Sequence, residues 1–222
     1  MTINSSKPLF IIGDVHESYD QIELPIDPSN LLFVGDLGGN WTWYESLIEQ
    51  GHEVYLLRGN HDDAEMFKDH MRAHIGIVTG LYLLDDVELL SYKNKGILCI
   101  SGAISIDRII APERNKTGIA FNALTLVQEL LNGDLDVDLM VSHTCPTRGH
   151  GGKQSKFYDS FCYEDESLDQ DVKKEMLILQ KCFDISKSTK SIFGHFHRSY
   201  QTKDKQDRIY TCLDISEVFE VI

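Results

Sequence analysis

Five short apolar runs, each passing through a small or turn-forming residue into groups able to bind metal or carry protons, set the plan of the chain. Residues 10–12 lead into Gly13, Asp14, Val15 and His16, and residues 32–34 lead into Gly35 and Asp36. Residues 54–57 lead through Arg58 and Gly59 into Asn60, His61 and Asp62. Residues 139–141 lead into Ser142 and His143, and residues 191–193 into Gly194, His195, Phe196 and His197. Apolar runs this short, bounded by turn formers, are read as buried strands. In open α/β sheets the chemistry gathers beyond the carboxyl ends of the strands, so the five strand ends are expected to converge on one place.

Between these runs the period changes. Ser18 can cap only a short turn over residues 19–22, because Pro25 and Pro28 stop it. Residues 41–50 read as a helix closed by Gly51. Asp62 or Asp63 can cap a helix over residues 64–74, whose His70 and His74 share a face and are read as surface histidines. From Leu81 the runs 81–84, 87–92 and 97–100 are strand-like, with a hairpin turn at 93–96, and are read as opening a second, mixed or antiparallel sheet. Residues 120–131 carry the apolar stripe Leu124, Val127, Leu130 and Leu131 of a packed helix. A further helix is expected over 172–182, and a closing hairpin from 200–202 and 208–213. Residues 144–168 have no period and start from the strand end that carries His143. They are read as a substrate-binding flap, with a tolerated surface insertion as the alternative. The alternation of strands and helices predicts an α/β fold, a two-sheet β-sandwich flanked by helices, in one domain over residues 1–222.

Composition narrows the setting. At 222 residues and 42% apolar, the chain suits one domain with a two-layer core. The five cysteines are scattered with no C-x-x-C pair, which argues against a disulfide framework or a thiolate cluster and fits a reducing cytosol. The apolar run after Lys7 is too short for a secretory segment and no later run reaches membrane-spanning length, so a cytoplasmic protein without a membrane partner is expected. A net charge of −14 argues against general nucleic-acid binding. It does not exclude a phosphate ester in a pocket made locally positive by bound cations.

The ordered blocks GDVH, GD, GNHD, SH and GHFH, each behind an apolar run, resemble the calcineurin-like metallophosphoesterase superfamily across residues 13–197. That resemblance implies four layers, α/β/β/α, around a dinuclear metal centre. Asp14, His16 and His197 would hold one ion, Asn60, His143 and His195 the other, and Asp36 would bridge them. Carboxylate, amide and imidazole ligands mixed in this way suit manganese first, with iron or zinc next. The resemblance further implies a hydrolase in which a hydroxide bridging the ions attacks phosphorus in line, while His61 protonates the leaving group as general acid. Serine/threonine phosphoprotein phosphatases and diadenosine tetraphosphatases continue the second block as GD-x-x-D-R. Here those places hold Gly39 and Asn40, which leaves open what orients His61. The grip on phosphate is therefore sought in Arg108 and Arg148, with Arg58 read as structural. A phosphomonoesterase acting on a phosphorylated protein or a small phosphate ester is the first expectation. A phosphodiesterase or dinucleoside polyphosphate hydrolase is the alternative. From another class, a non-catalytic scaffold resembling the retromer subunit of this fold is disfavoured by the presence of His61 and all seven ligands.

Overall fold

Parallel strand register delivers the expected ligands to one edge. In the computed structural model, which describes residues 1–63, 79–111, 118–119, 122–131, 136–151 and 156–221, the strands form two sheets. The first has the order β11-β1-β2-β3-β4. Its strands β1 (Leu9–Ile12), β2 (Asn30–Phe33), β3 (Glu53–Leu56) and β4 (Leu81–Leu83) run parallel, and β11 (Val218–Val221) lies antiparallel against β1. The second has the order β5-β6-β7-β8-β10-β9. There β6 (Lys95–Ile100), β7 (Val137–Ser142), β8 (Lys190–Phe193) and β10 (Ile209–Cys212) are parallel, flanked by antiparallel β5 (Val87–Tyr92) and β9 (Tyr200–Lys203). Ile12 stands opposite Phe33 and Phe33 opposite Leu56, so the residues after β1, β2 and β3 emerge side by side.

Burial explains why these strands read as continuous apolar runs, because each central strand is covered on both faces. Leu32, Val34 and Tyr55 of the first sheet meet Cys99, Val141 and Ile192 of the second in a core between the sheets. Leu31, Phe33 and Val54 face α1 (Trp41–Glu49) on the outside of the first sheet. Leu98, Met140 and Phe193 face α2 (Ala123–Leu130) and the long α4 (Leu168–Ser186) on the outside of the second. The layers are therefore α/β/β/α. No helix among the described residues is long and apolar enough to cross a membrane.

The structure differs from the sequence reading at four places. Residues 81–83 pair parallel with β3 and so belong to the first sheet, not the second. Strand β11 was not anticipated; its half-exposed VFEV pattern carries little apolar signal. Residues 144–168 contain a 3-10 turn, Thr147–Gly149, and the helix α3 (Lys156–Glu164). Helix α4 extends the run expected over 172–182 at both ends, stopping at Lys187 in the left-handed region, φ 57°. The helix expected over 64–74, with His70 and His74, lies outside the described residues.

One buried carboxyl fastens α4 to the loop after β6. Glu175 accepts hydrogen bonds from the backbone N–H groups of Ile104 and Ile119, both at 3.0 Å, and burial pushes its pKa up to about 7. A folded acid that holds its proton above the ordinary range is most stabilising below about pH 4.5, and stability falls as pH rises through about 7. Glu175→Gln should remove that slope, roughly 3 kcal/mol across the window. Denaturant titrations of both proteins between pH 4.5 and 7.5 check it, and an unchanged difference between them would contradict it.

Candidate metal centre

Four of the seven expected ligands sit in left-handed backbone: His16 at φ 44°, Asp36 at 50°, His195 at 70° and His197 at 48°. Non-glycine residues enter that region at a cost of about 1–2 kcal/mol each, so the surroundings must hold them there. They do so by mutual hydrogen bonds. The carbonyl of Asp36 accepts from His16 N (2.9 Å) and Val15 N (3.2 Å), which ties the loop after β1 to the loop after β2. Asp14 Oδ2 accepts from His195 N at 2.7 Å, and Asp36 Oδ1 accepts from His61 N at 2.8 Å. Two motif glycines leave room for these carboxylates. A Cβ on Gly59 would collide with Asp36 Oδ1, and a Cβ on Gly194 with Asp14 Oδ1.

The ligand side chains then face one another across the seam of the sheets. His143 Nδ1 lies 2.8 Å from the carbonyl of Val34, which can only accept, so Nδ1 carries the proton. Its Nε2 presents a lone pair, 2.9 Å from Asn60 Oδ1. The Asn60 amide is oriented by a relay: Ser105 Oγ donates to Asp107 Oδ1 at 2.6 Å and accepts from Asn60 Nδ2 at 3.1 Å. Two acceptors therefore stand side by side at the separation of neighbouring ligands on one cation. On the other side His16 Nε2 and His197 Nε2 stand 2.8 Å apart, within reach of Asp14 Oδ2 and Asp36 Oδ2. Asp14 Oδ1 and Asp36 Oδ2 are buried without a hydrogen-bond partner among the described residues. Donor atoms of Asp14, His16, Asp36 and His197 all lie within 4.8 Å of one another. Orphaned carboxylate oxygens beside inward imidazole lone pairs fit a pair of divalent ions, with a buried Asp36 between the two groups of ligands.

Electrostatics agree with ligand duty. Burial, then the neighbouring Asp36, raises the pKa of Asp14 well above the carboxylate range, the behaviour of two like charges confined together. Burial would raise Asp36 as well, but His143, His16 and His61 outweigh it and hold the group ionised. Burial, then His143, pushes His195 down to about 3, and burial also lowers His143 and His197. Neutral imidazoles are the form that binds metal.

The ligand atoms of Asp14, His16, Asp36 and His197 form one cluster, those of Asn60 and His143 meet at 2.9 Å, and the His195 ring centre lies 5.0 Å from that of His143, with His61 beside His16. The His61 ring centre is 5.0 Å from that of His16, and His61 lines a cavity of about 390 Å³ with Gly38, Gly39, Trp41 and Asp63. Gly39 faces open space, and Asn40, where the compared phosphatases place arginine, instead caps α1 by accepting from Trp43 N at 3.2 Å. The two expected arginines are not brought in. Arg108 binds Asp165 (2.6 Å), Ser167 (2.7 Å) and Asp171 (2.9 Å), bracing the loop after β6 against the start of α4. Arg148 stands 3.6 Å from Asp204 in the β9–β10 turn, at the end of β10 remote from the ligands. Arg58 is buried and paired with Asp86 at 3.1 Å, as read. Two contributors escaped the sequence reading. Asp62 accepts from Leu37 N (2.8 Å) and Gly59 N (2.7 Å), locking the loops that carry Asp36 and Asn60, and Ser105 with Asp107 orients Asn60. The D of GNHD was a visible signal for the first; nothing local marked the second.

The sequence model for calcineurin-like phosphoesterase matches residues 7–199 of the chain. Among solved structures, phosphopantetheinyl hydrolase (PptH) from Mycobacterium tuberculosis shares the fold with a TM-score of 0.60 at 11% identity, covering 96% of this chain and 92% of that one. A dimetal phosphatase from Danio rerio matches with a TM-score of 0.48 at 11% identity, over 84% of this chain and 72% of that one. No curated protein matches the chain.

The two close approaches separate the two halves of the centre. Gly59→Ala should displace the shared Asp36 and lower occupancy of both ions, whereas Gly194→Ala should displace Asp14 and weaken one, each at about 1–3 kcal/mol of overpacking. Metal content by mass spectrometry on the folded variants checks this; full occupancy in Gly59→Ala would contradict the placement of Asp36.

Proposed function

The chain belongs to the calcineurin-like phosphoesterase family, hydrolases of phosphate esters, and from that premise we propose a reaction in which the leaving group is seated in the cavity beside His61. The observation that carries the reading is the pair of buried carboxylate oxygens on Asp14 and Asp36, without a hydrogen-bond partner among the described residues, beside the imidazoles of His16, His143 and His197. When bound, a pair of divalent ions supplies Lewis acidity to the phosphoryl oxygens and a nucleophile from water near neutral pH. Manganese is assigned first, because it tolerates the mixed ligand set, with iron or zinc next.

The chain's own residues supply position and protons. Asp62 and the Asp36 carbonyl fix three loops relative to one another, which holds the phosphoryl site rigid. His61 is anchored through its own N–H to Asp36 Oδ1, and its ring faces the cavity where a leaving oxygen collects its proton. Arg108 acts through the loop it braces: that loop carries Ser105 and Asp107, which aim the Asn60 oxygen.

The cavity walls bear on the choice of substrate class. A monoester, the class first expected from the sequence, whether on a protein or a small molecule, occupies only the cavity beside His61. A dinucleoside polyphosphate is disfavoured, because its leaving group would set further phosphates against Glu17, Asp62 and Asp63. A diester is supported by a second cavity at His195 and His197.

Leaving-group dependence tests the role of His61. His61→Ala should lower kcat on alkyl phosphate esters by about 10²- to 10⁴-fold. It should change turnover of p-nitrophenyl esters little, since nitrophenolate departs without a proton. Steady-state kinetics on both ester types, at matched metal content, check this; an equal loss on both would assign His61 to phosphate binding.

A further inference from the structure

The cluster has a second flank that proton delivery by His61 leaves unused. A cavity of about 500 Å³ opens beside His195 and His197, and it shares no lining residue with the one beside His61. The first cavity is walled by the loops after β1, β2 and β3 together with Trp41 at the start of α1. The second is walled by the loops after β6, β7 and β8 together with α3 and α4. The ligands of the two sheets meet on the seam between them. Ile106, Phe161, Val172, Met176 and Phe196 face the second cavity from four separate segments and give it a broad apolar wall, with the polar Thr144, His150 and Arg198 also lining it. Glu175, which also lines it, already accepts from two backbone N–H groups.

In-line displacement places the nucleophile and the leaving oxygen on opposite sides of phosphorus, and His61 fixes the leaving side in the first cavity. An ester with one substituent would leave the second cavity idle. An ester with two would need it, and the broad apolar wall suits an apolar group. Resting on the phosphoesterase reading, we propose that the substrate is a phosphodiester whose retained substituent is an apolar group of ring size or larger, seated between α3, α4 and His195. Hydrolysis breaks the P–O bond to the leaving group, forms a P–O bond to the oxygen of water, and passes a proton from His61 to the leaving oxygen, the proton released by the water restoring His61 through solvent. The apolar substituent stays on the monoester product.

Three p-nitrophenyl phosphates with one leaving group test this: the monoester, the methyl diester and the phenyl diester. The phenyl diester should exceed the methyl diester in kcat/KM by about tenfold to a hundredfold, from burial of the ring. Filling the cavity from α4 with Val172→Trp, or separately with Met176→Phe, should collapse that ratio by about tenfold or more. A second readout is independent of turnover: calorimetry should give phenylphosphonate at least about tenfold tighter binding than methylphosphonate in the wild type. Equal kcat/KM for the two diesters, a monoester preferred over both, or a phenyl preference that survives both filling variants would overturn the inference. Inactivity on all three esters with two ions loaded would instead overturn the phosphoesterase reading.

Discussion

Asp14 and Asp36 are carboxylates buried against each other at the seam of two sheets, and the rest of the site is arranged around that repulsion. Two ionised carboxylates in so dry a place are unfavourable without cations to balance them. The protein supplies part of the balance through imidazoles and backbone N–H groups: His195 N at Asp14, His61 N at Asp36. What it withholds is equally informative, since one oxygen of each carboxylate has no hydrogen-bond partner among the described residues. Divalent ions held by these ligands would balance the charge, and would account for the strained left-handed turns at His16, Asp36, His195 and His197.

The ligands were legible because each is local: strand, small residue, ligand, five times over, with the parallel register bringing the blocks to one edge. What was not legible depends on partners distant in sequence. Ser105 and Asp107 matter only because Asn60 lies against them, and Asp62 matters because Leu37 N and Gly59 N both point at it. Arg108 and Arg148 look available by their positions after strand ends, yet Asp165 before α4, Asp171 on it and Asp204 in the β9–β10 turn take them up. Residues 81–83 were assigned to the wrong sheet because three apolar-rich residues carry no information about which neighbour they join. Strand β11 was passed over for the same reason, an edge strand half exposed and interrupted by Glu220.

Division of the site between two sheets also divides its surroundings. The first sheet contributes an acidic, open cavity containing the proton donor, widened where Gly39 has no side chain. The second contributes an apolar cavity closed by the helices that follow β7. The apolar positions Val172 and Met176 of α4 face the second cavity, whereas Asp171 and Glu175 of the same helix hold the loop that orients Asn60, so α4 serves both selectivity and the metal site.

If Asp36 joins two ions across the seam, the manganese-loaded protein should show it in electron paramagnetic resonance. At two equivalents per chain the expected spectrum is that of an exchange-coupled manganese pair. The six-line signal of isolated, uncoupled manganese at every loading would contradict it.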